Sequence, residues 1–159
     1  VQKYNIAWFE EPIHGFDFRG YGELTESCPV PVAAGESVRN HYMFTPYLDA
    51  GVRHFQPVPS SFAGVWEWMQ VRDMAVRSGI RFSSGGLPLL ACPLIATAGD
   101  EAMEEFLEVC NQPVLDCMEV TVQRRDGKFY LPDIPGLPFR LDMKWLKKNG
   151  YLLSYERYS

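Results

Sequence analysis

Asn5-Ile6-Ala7-Trp8-Phe9-Glu10-Glu11-Pro12 and, a little further on, Pro29-Val30-Pro31-Val32-Ala33-Ala34-Gly35-Glu36-Ser37 are two short apolar runs that each stop on a carboxylate. Between them Phe18, Tyr21, Leu24 and Cys28 recur at helical spacing. The order is strand, helix, strand, with an acid where each strand ends. The same rhythm continues. Val52–Gln56 reads as a third strand and Ile80–Ser83 as a fourth, with a fifth expected over Glu105–Val109.

Amphipathic stretches fill the gaps. Met43, Phe44, Tyr47 and Leu48 form one helical face, which Pro46 restricts to two short turns and Gly51 closes. Val65, Trp68, Met69, Val71, Ala75 and Val76 form another, interrupted by Arg72 and ended by Gly79. Leu87–Ala98 is an apolar helical stretch. The strand ends at Glu10, Glu36, Val58, Gly85 and Glu108 recur at roughly 25-residue intervals, as a parallel α/β sheet with crossover helices requires. A barrel and a doubly wound open sheet share that rhythm. The polar residues at strand ends favour the barrel, whose chemistry sits at the C-terminal ends of several strands.

Beyond residue 111 the pattern changes, so residues 1–111 are expected to form the barrel portion and 112–159 a C-terminal extension. Met118, Val120 and Val122 alternate with polar residues, and Asp126-Gly127 turns the chain back along Lys128–Leu131. A proline-rich loop over 132–138 leads to a short helix over Asp142–Lys148, capped by Asn149-Gly150.

Composition bounds the function. The chain of 159 residues is 47% hydrophobic, enough for a sizeable core, and its net charge of −5 argues against a nucleic-acid partner. No apolar run approaches the ~20 residues of a membrane span. Cys28, Cys92, Cys110 and Cys117 follow no zinc spacing and read as reduced thiols of a cytoplasmic protein.

Glu10 and Glu36 stand at the ends of consecutive strands, and neighbouring parallel strands lie ~4.8 Å apart. Carboxylates at equal height there repel unless a cation sits between them, and a hard divalent ion such as Mg²⁺ prefers oxygen ligands. The alternative is that both are ordinary surface residues of loops.

The segment from Trp8 to Glu108 resembles the mandelate racemase/muconate lactonising branch of the enolase superfamily. The resemblance rests on W-F-E-E-P, on P-V-P-V-A-A-G-E-S, on F-Q-P at the third strand, on a helix begun through Ala63-Gly64, and on S-S at the next strand end. The tail D-G-K-F-Y-L-P-D-I-P-G-L-P over Asp126–Pro138 extends it over nearly the whole chain.

That resemblance implies a partial TIM-type (β/α)7β barrel, of which this chain supplies about the fourth to eighth strands. It implies that Glu10 and Glu36 are the second and third carboxylate ligands of Mg²⁺, and that Glu108 hydrogen-bonds a substrate carboxylate. The first ligand, the lysine-bearing base strand and the capping domain are not in these residues. The chain is then a fragment or one half of a two-chain protein, which needs its N-terminal half or self-associates. The family's base dyad falls on Val58 and Gly85, and no Lys occurs between Val52 and Gly64. His14 and His41 lie in neighbouring loops, where a histidine is more often solvated.

The expected function is therefore the C-terminal portion of a Mg²⁺-dependent lyase or isomerase that abstracts the proton next to a carboxylate, in the manner of an acid-sugar dehydratase. The alternative is a non-catalytic fragment or pseudoenzyme that keeps the barrel fold. A third reading is a binding module that uses the aromatic tail of Trp145, Tyr151, Tyr155 and Tyr158.

Overall fold

Five short strands pair in parallel and in sequence order: β1 (Phe9–Glu10), β2 (Val32–Ala34), β3 (His54–Phe55), β4 (Arg81–Ser84) and β5 (Met103–Glu104). A doubly wound sheet reverses its strand order at a switch point. This sheet has no reversal, and it curls as a half-barrel. The computed structural model describes residues 2–156. The chain forms two compact units, residues 1–106 and 107–159.

In the first unit, helices α1 (Phe18–Ser27), α2 (Phe44–Asp49), α3 (Val65–Ser78) and α4 (Pro88–Ile95) follow β1 to β4 in turn. Their apolar residues share one core with the strands. Tyr21, Phe44, Tyr47, Trp68, Val71, Ala75 and Ile95 pack with Val32, Ala34, Phe55 and Phe82. Side chains alternate across a strand, so His54 and Ser83, next to Phe55 and Phe82, are turned to the other face. There His54 Nε2 lies 2.7 Å from Ser83 Oγ. On that face Arg81 Nη1 donates to the carbonyl of Ala7 at 2.9 Å, tying the end of the chain before β1 to β4.

Local chemistry explains the helix limits. The Asp17 carboxylate caps α1 by accepting from Gly20 N at 2.9 Å. Pro46 acts as expected: a 3-10 turn at His41–Met43 precedes the six-residue α2, with Pro46 in its first turn, where no helical N–H is required. The polar interruption in α3 is satisfied locally, since Arg72 bonds Asp73 and donates to Thr97 Oγ1 at 2.7 Å.

The last strand differs from expectation. β5 ends at Glu104, and Glu105 N still donates to Ser84 O at 2.8 Å. Asn111 Oδ1 then accepts from Leu107 N at 2.7 Å, which opens a helix, α5 (Glu108–Leu115). The apolar pair Phe106-Leu107 thus approaches a helix, and Glu108 lies in that helix's first turn.

The second unit continues with β6 (Met118–Val120), β7 (Gln123–Arg125), β8 (Lys128–Tyr130), β9 (Phe139–Leu141) and α6 (Met143–Lys148). The hairpin expected at Asp126-Gly127 joins β7 to β8, and both turn residues have positive φ (52° and 70°) as a type I′ turn requires. The alternation from Met118 does not run into it, however. Thr121 bonds Pro138 O through N and Oγ1, and β6 pairs antiparallel with β9, a strand hidden behind the proline-rich loop. Asp142 caps α6 by accepting from Trp145 N at 2.9 Å. Trp145 stacks on Tyr151 with centroids 5.7 Å apart, whereas Tyr158 lies outside the described residues.

Trp68 is fully buried, packs edge-on against Phe82 and donates its indole N–H to Pro57 O at 3.1 Å. Trp68→Ala is expected to cost about 3–5 kcal/mol in urea denaturation. Trp66→Ala, at a neighbouring but 64% exposed residue, should stay within about 0.5 kcal/mol.

Candidate functional site

Parallel pairing brings every strand's C-terminal end to one edge of the sheet. β1 ends on Glu10. β2 leads into Gly35 and Glu36. At Gly35 φ is +121°, and an added Cβ would lie 2.5 Å from the Phe44 ring, so only glycine fits this turn. Gln56 follows β3; its backbone N donates to Ala34 O, and its side-chain Nε2 donates to Glu10 Oε2 at 2.9 Å. Trp8 Nε1 donates to the same oxygen at 3.2 Å. Glu10, Glu36, Gln56 and Glu105 line one solvent-open cavity, together with Val58, Ser84 and Gly85.

Three carboxylates therefore converge, from β1, from the turn after β2 and from the residue after β5. Burial and like charge act together on two of them. Burial raises the pKa of Glu36 above its usual range, and the charges of Glu11 and Glu10 raise it further. Burial does the same to Glu105, with Glu10 and Glu36 adding to it. Hard oxygen donors under mutual repulsion suit a hard cation. Among the described residues, however, no group of three or more His, Cys, Asp or Glu is placed to hold a metal ion.

Beneath the carboxylates lies a drier layer. His54 is fully buried, meets the Trp8 ring edge-on at 4.8 Å, and is pushed down to about 4 by burial and by Arg81. It is a neutral imidazole near pH 7. His54 Nδ1 and Gln56 Oε1 are buried without a hydrogen-bond partner.

Glu10 and Glu36 are thus brought together at one cavity. Glu108 is placed elsewhere, in the second unit, where Arg124 donates to both its oxygens at 2.9 and 3.2 Å and holds its pKa below the usual range. The acid that follows the last strand is Glu105. The signal for it was the pair Glu104-Glu105, of which only the second faces the cavity. Gly85 leaves room for it: a Cβ there would lie 2.8 Å from Glu105 Oε2. The two loop histidines are engaged away from the cavity. His41 Nδ1 pairs with Glu67 at 2.7 Å, and His14 Nδ1 accepts from Phe16 N at 3.3 Å.

A sequential half-barrel with acids gathered at its strand ends defines the class: part of a (β/α) barrel. The profile of the family described as "Enolase C-terminal domain-like" matches residues 1–145. The chain belongs to that family. It is 26% identical over 144 residues to the L-talarate/galactarate dehydratase of Salmonella typhimurium, covering 89% of this chain and 35% of that protein. L-Talarate dehydratase from Polaromonas sp. JS666, solved with Mg and L-glucarate, superposes with a TM-score of 0.79 at 21% identity, over 91% of this chain and 40% of that one. A mandelate racemase/muconate lactonizing enzyme from Jannaschia sp. CCS1 gives 0.82 at 23% identity, over 99% of this chain and 41% of that one. The chain thus spans well under half the length of these relatives.

Glu104, the neighbour that turns away from the cavity, has both carboxyl oxygens buried without a hydrogen-bond partner. Burial, then the charge of Glu105, raises its pKa from 4.5 to about 8. The folded chain holds a proton there that the unfolded chain has released, so stability falls as pH rises through that window. Urea denaturation of the wild type is expected to lose on the order of 2–4 kcal/mol from this group across the window. Glu104→Gln should flatten that slope; an unchanged slope would refute the assignment.

Proposed function

We propose that this chain supplies the metal-facing side of a Mg²⁺-dependent lyase or isomerase acting on a small carboxylate substrate of the acid-sugar kind. The observation that carries the reading is the convergence of Glu10, Glu36 and Glu105 on one cavity at the strand ends. Glu10 and Glu36 would hold the ion, and further ligands would come from polypeptide matching the part of the relatives that this chain does not span. When bound, Mg²⁺ supplies positive charge against the negative charge that develops on a substrate carboxylate as its α-proton leaves.

The chain's own residues do the rest of the work on this side. Gln56 and Trp8 donate to Glu10 Oε2 and fix its direction. Glu105, above Gly85, takes the strand-end place expected of Glu108 and faces the substrate. With Val58 and Gly85 at the ends of the third and fourth strands, neither of those strands offers a base, and we assign the base to polypeptide outside this chain. That same pair is what favours the competing reading, a non-catalytic member that keeps the fold. The four cysteines are free, which suits a reducing, cytoplasmic setting. No helix among the described residues is long and apolar enough to cross a membrane.

β1 and β5 end the sheet, each with one strand neighbour in it. Unpaired strand edges recruit partners. Sedimentation of the chain alone is expected to show self-association or aggregation, relieved by a polypeptide carrying the unmatched N-terminal part. A monodisperse monomer at micromolar concentration would contradict this.

Calorimetric titration with Mg²⁺ is expected to show weak binding by the chain alone, lost in Glu10→Gln and in Glu36→Gln. Retention of wild-type affinity in both variants would overturn the metal reading. Deuterium exchange of a substrate α-proton by the isolated chain would overturn the placement of the base.

A further inference from the structure

Glu11 stands beside Glu10 but is held in a different way. Its φ is +32°, a left-handed backbone that a residue with a side chain keeps only where its surroundings over-determine it. Its N–H donates to Ala33 O at 3.0 Å, which draws the turn after β1 against β2. Its carboxylate reaches across as well: Oε1 accepts from Gly35 N at 3.0 Å and from Glu36 N at 3.2 Å. One anion on two successive N–H groups is a backbone nest, made of charge-assisted hydrogen bonds.

The turn that carries Glu36 is thus gripped from two sides. The Phe44 ring fills the space where a Cβ of Gly35 would stand, and Glu11 fastens the peptide N–H groups. The arrangement has an electrostatic cost, because Glu11 brings a like charge close to the Glu36 carboxylate. A left-handed glutamate and a like-charge contact are both unfavourable alone. Together they fix the backbone from which Glu36 projects.

We propose that Glu11 is a positioning residue: it sets the direction from which Glu36 meets a divalent cation, without itself lining the cavity. The proposal rests on the reading of Glu10 and Glu36 as cation ligands.

The test uses the full chain, in whatever assembly it forms, as Glu11→Ala, Glu11→Asp and Glu11→Gln, with Mn²⁺ as the probe ion. Metal-free amide hydrogen exchange reads the grip directly. In Glu11→Ala, and in Glu11→Asp, one methylene too short, exchange at Gly35 and Glu36 should rise ~10-fold while α3 amides stay unchanged. Mn²⁺ affinity should fall by roughly 10-fold or more, as for other residues that orient a ligand. Glu11→Gln, which keeps an acceptor oxygen at the same reach, should restore most of both. Unchanged exchange in Ala and Asp variants would overturn the proposal, as would faster exchange with unaltered Mn²⁺ affinity. Loss of protection throughout α3 would also overturn it, marking Glu11 as merely structural. If the variants behave as expected in exchange but the wild type does not bind Mn²⁺, the grip stands and the cation reading falls.

Discussion

The alternation of side chains along a parallel strand governs this molecule. Because β1 to β5 pair in sequence order, each strand must return through a helix on the same side. One face of the sheet is therefore committed to helices. Phe55 and Phe82 go to that face, and His54 and Ser83 go to the other. The strands are only two to four residues long, so the register has little redundancy. A slip of one residue would exchange the buried aromatics for an imidazole and a hydroxyl.

The same alternation separates Glu104 from Glu105. Adjacent in sequence, they meet opposite environments. One is driven toward its neutral form beneath α4, and the other stays at the cavity among like charges. The site gathers its acids against their repulsion, and it does so by backbone pairing. Glu105 N on Ser84 O, Gln56 N on Ala34 O and Glu11 N on Ala33 O each continue a ladder just past the end of a strand. The carboxylates are carried by these bonds, and the hydrophobic core on the far face holds the strands that make them.

Much of this was legible in the sequence, because its signals were local. Acid at a strand end, glycine before Glu36, helical spacing of Tyr21 and Trp68, and Asp-Gly at the hairpin each follow from geometry within a few residues. What was not legible depended on distant partners. Phe139–Leu141 becomes a strand only because β6 leaves the hairpin to pair with it. Glu108 read as a strand end because Phe106-Leu107 is apolar, and the bond from Leu107 N to Asn111 that starts a helix has no signature in periodicity. Glu11 carried no signal of its own, since its role lies in two amide hydrogens some 25 positions further along the chain.

The bond from Arg81 to Ala7 joins positions 74 apart in the chain. Its closure waits for the three intervening strand–helix units to be in place, because ordering so long a loop must be repaid by the contacts inside it. During synthesis, the run leading into β1 therefore leaves the ribosome well before its anchor is made. β1 itself is fastened by nearer partners, Phe9 N on Pro31 O and Glu11 N on Ala33 O, so the distant bond secures only the run that leads into it.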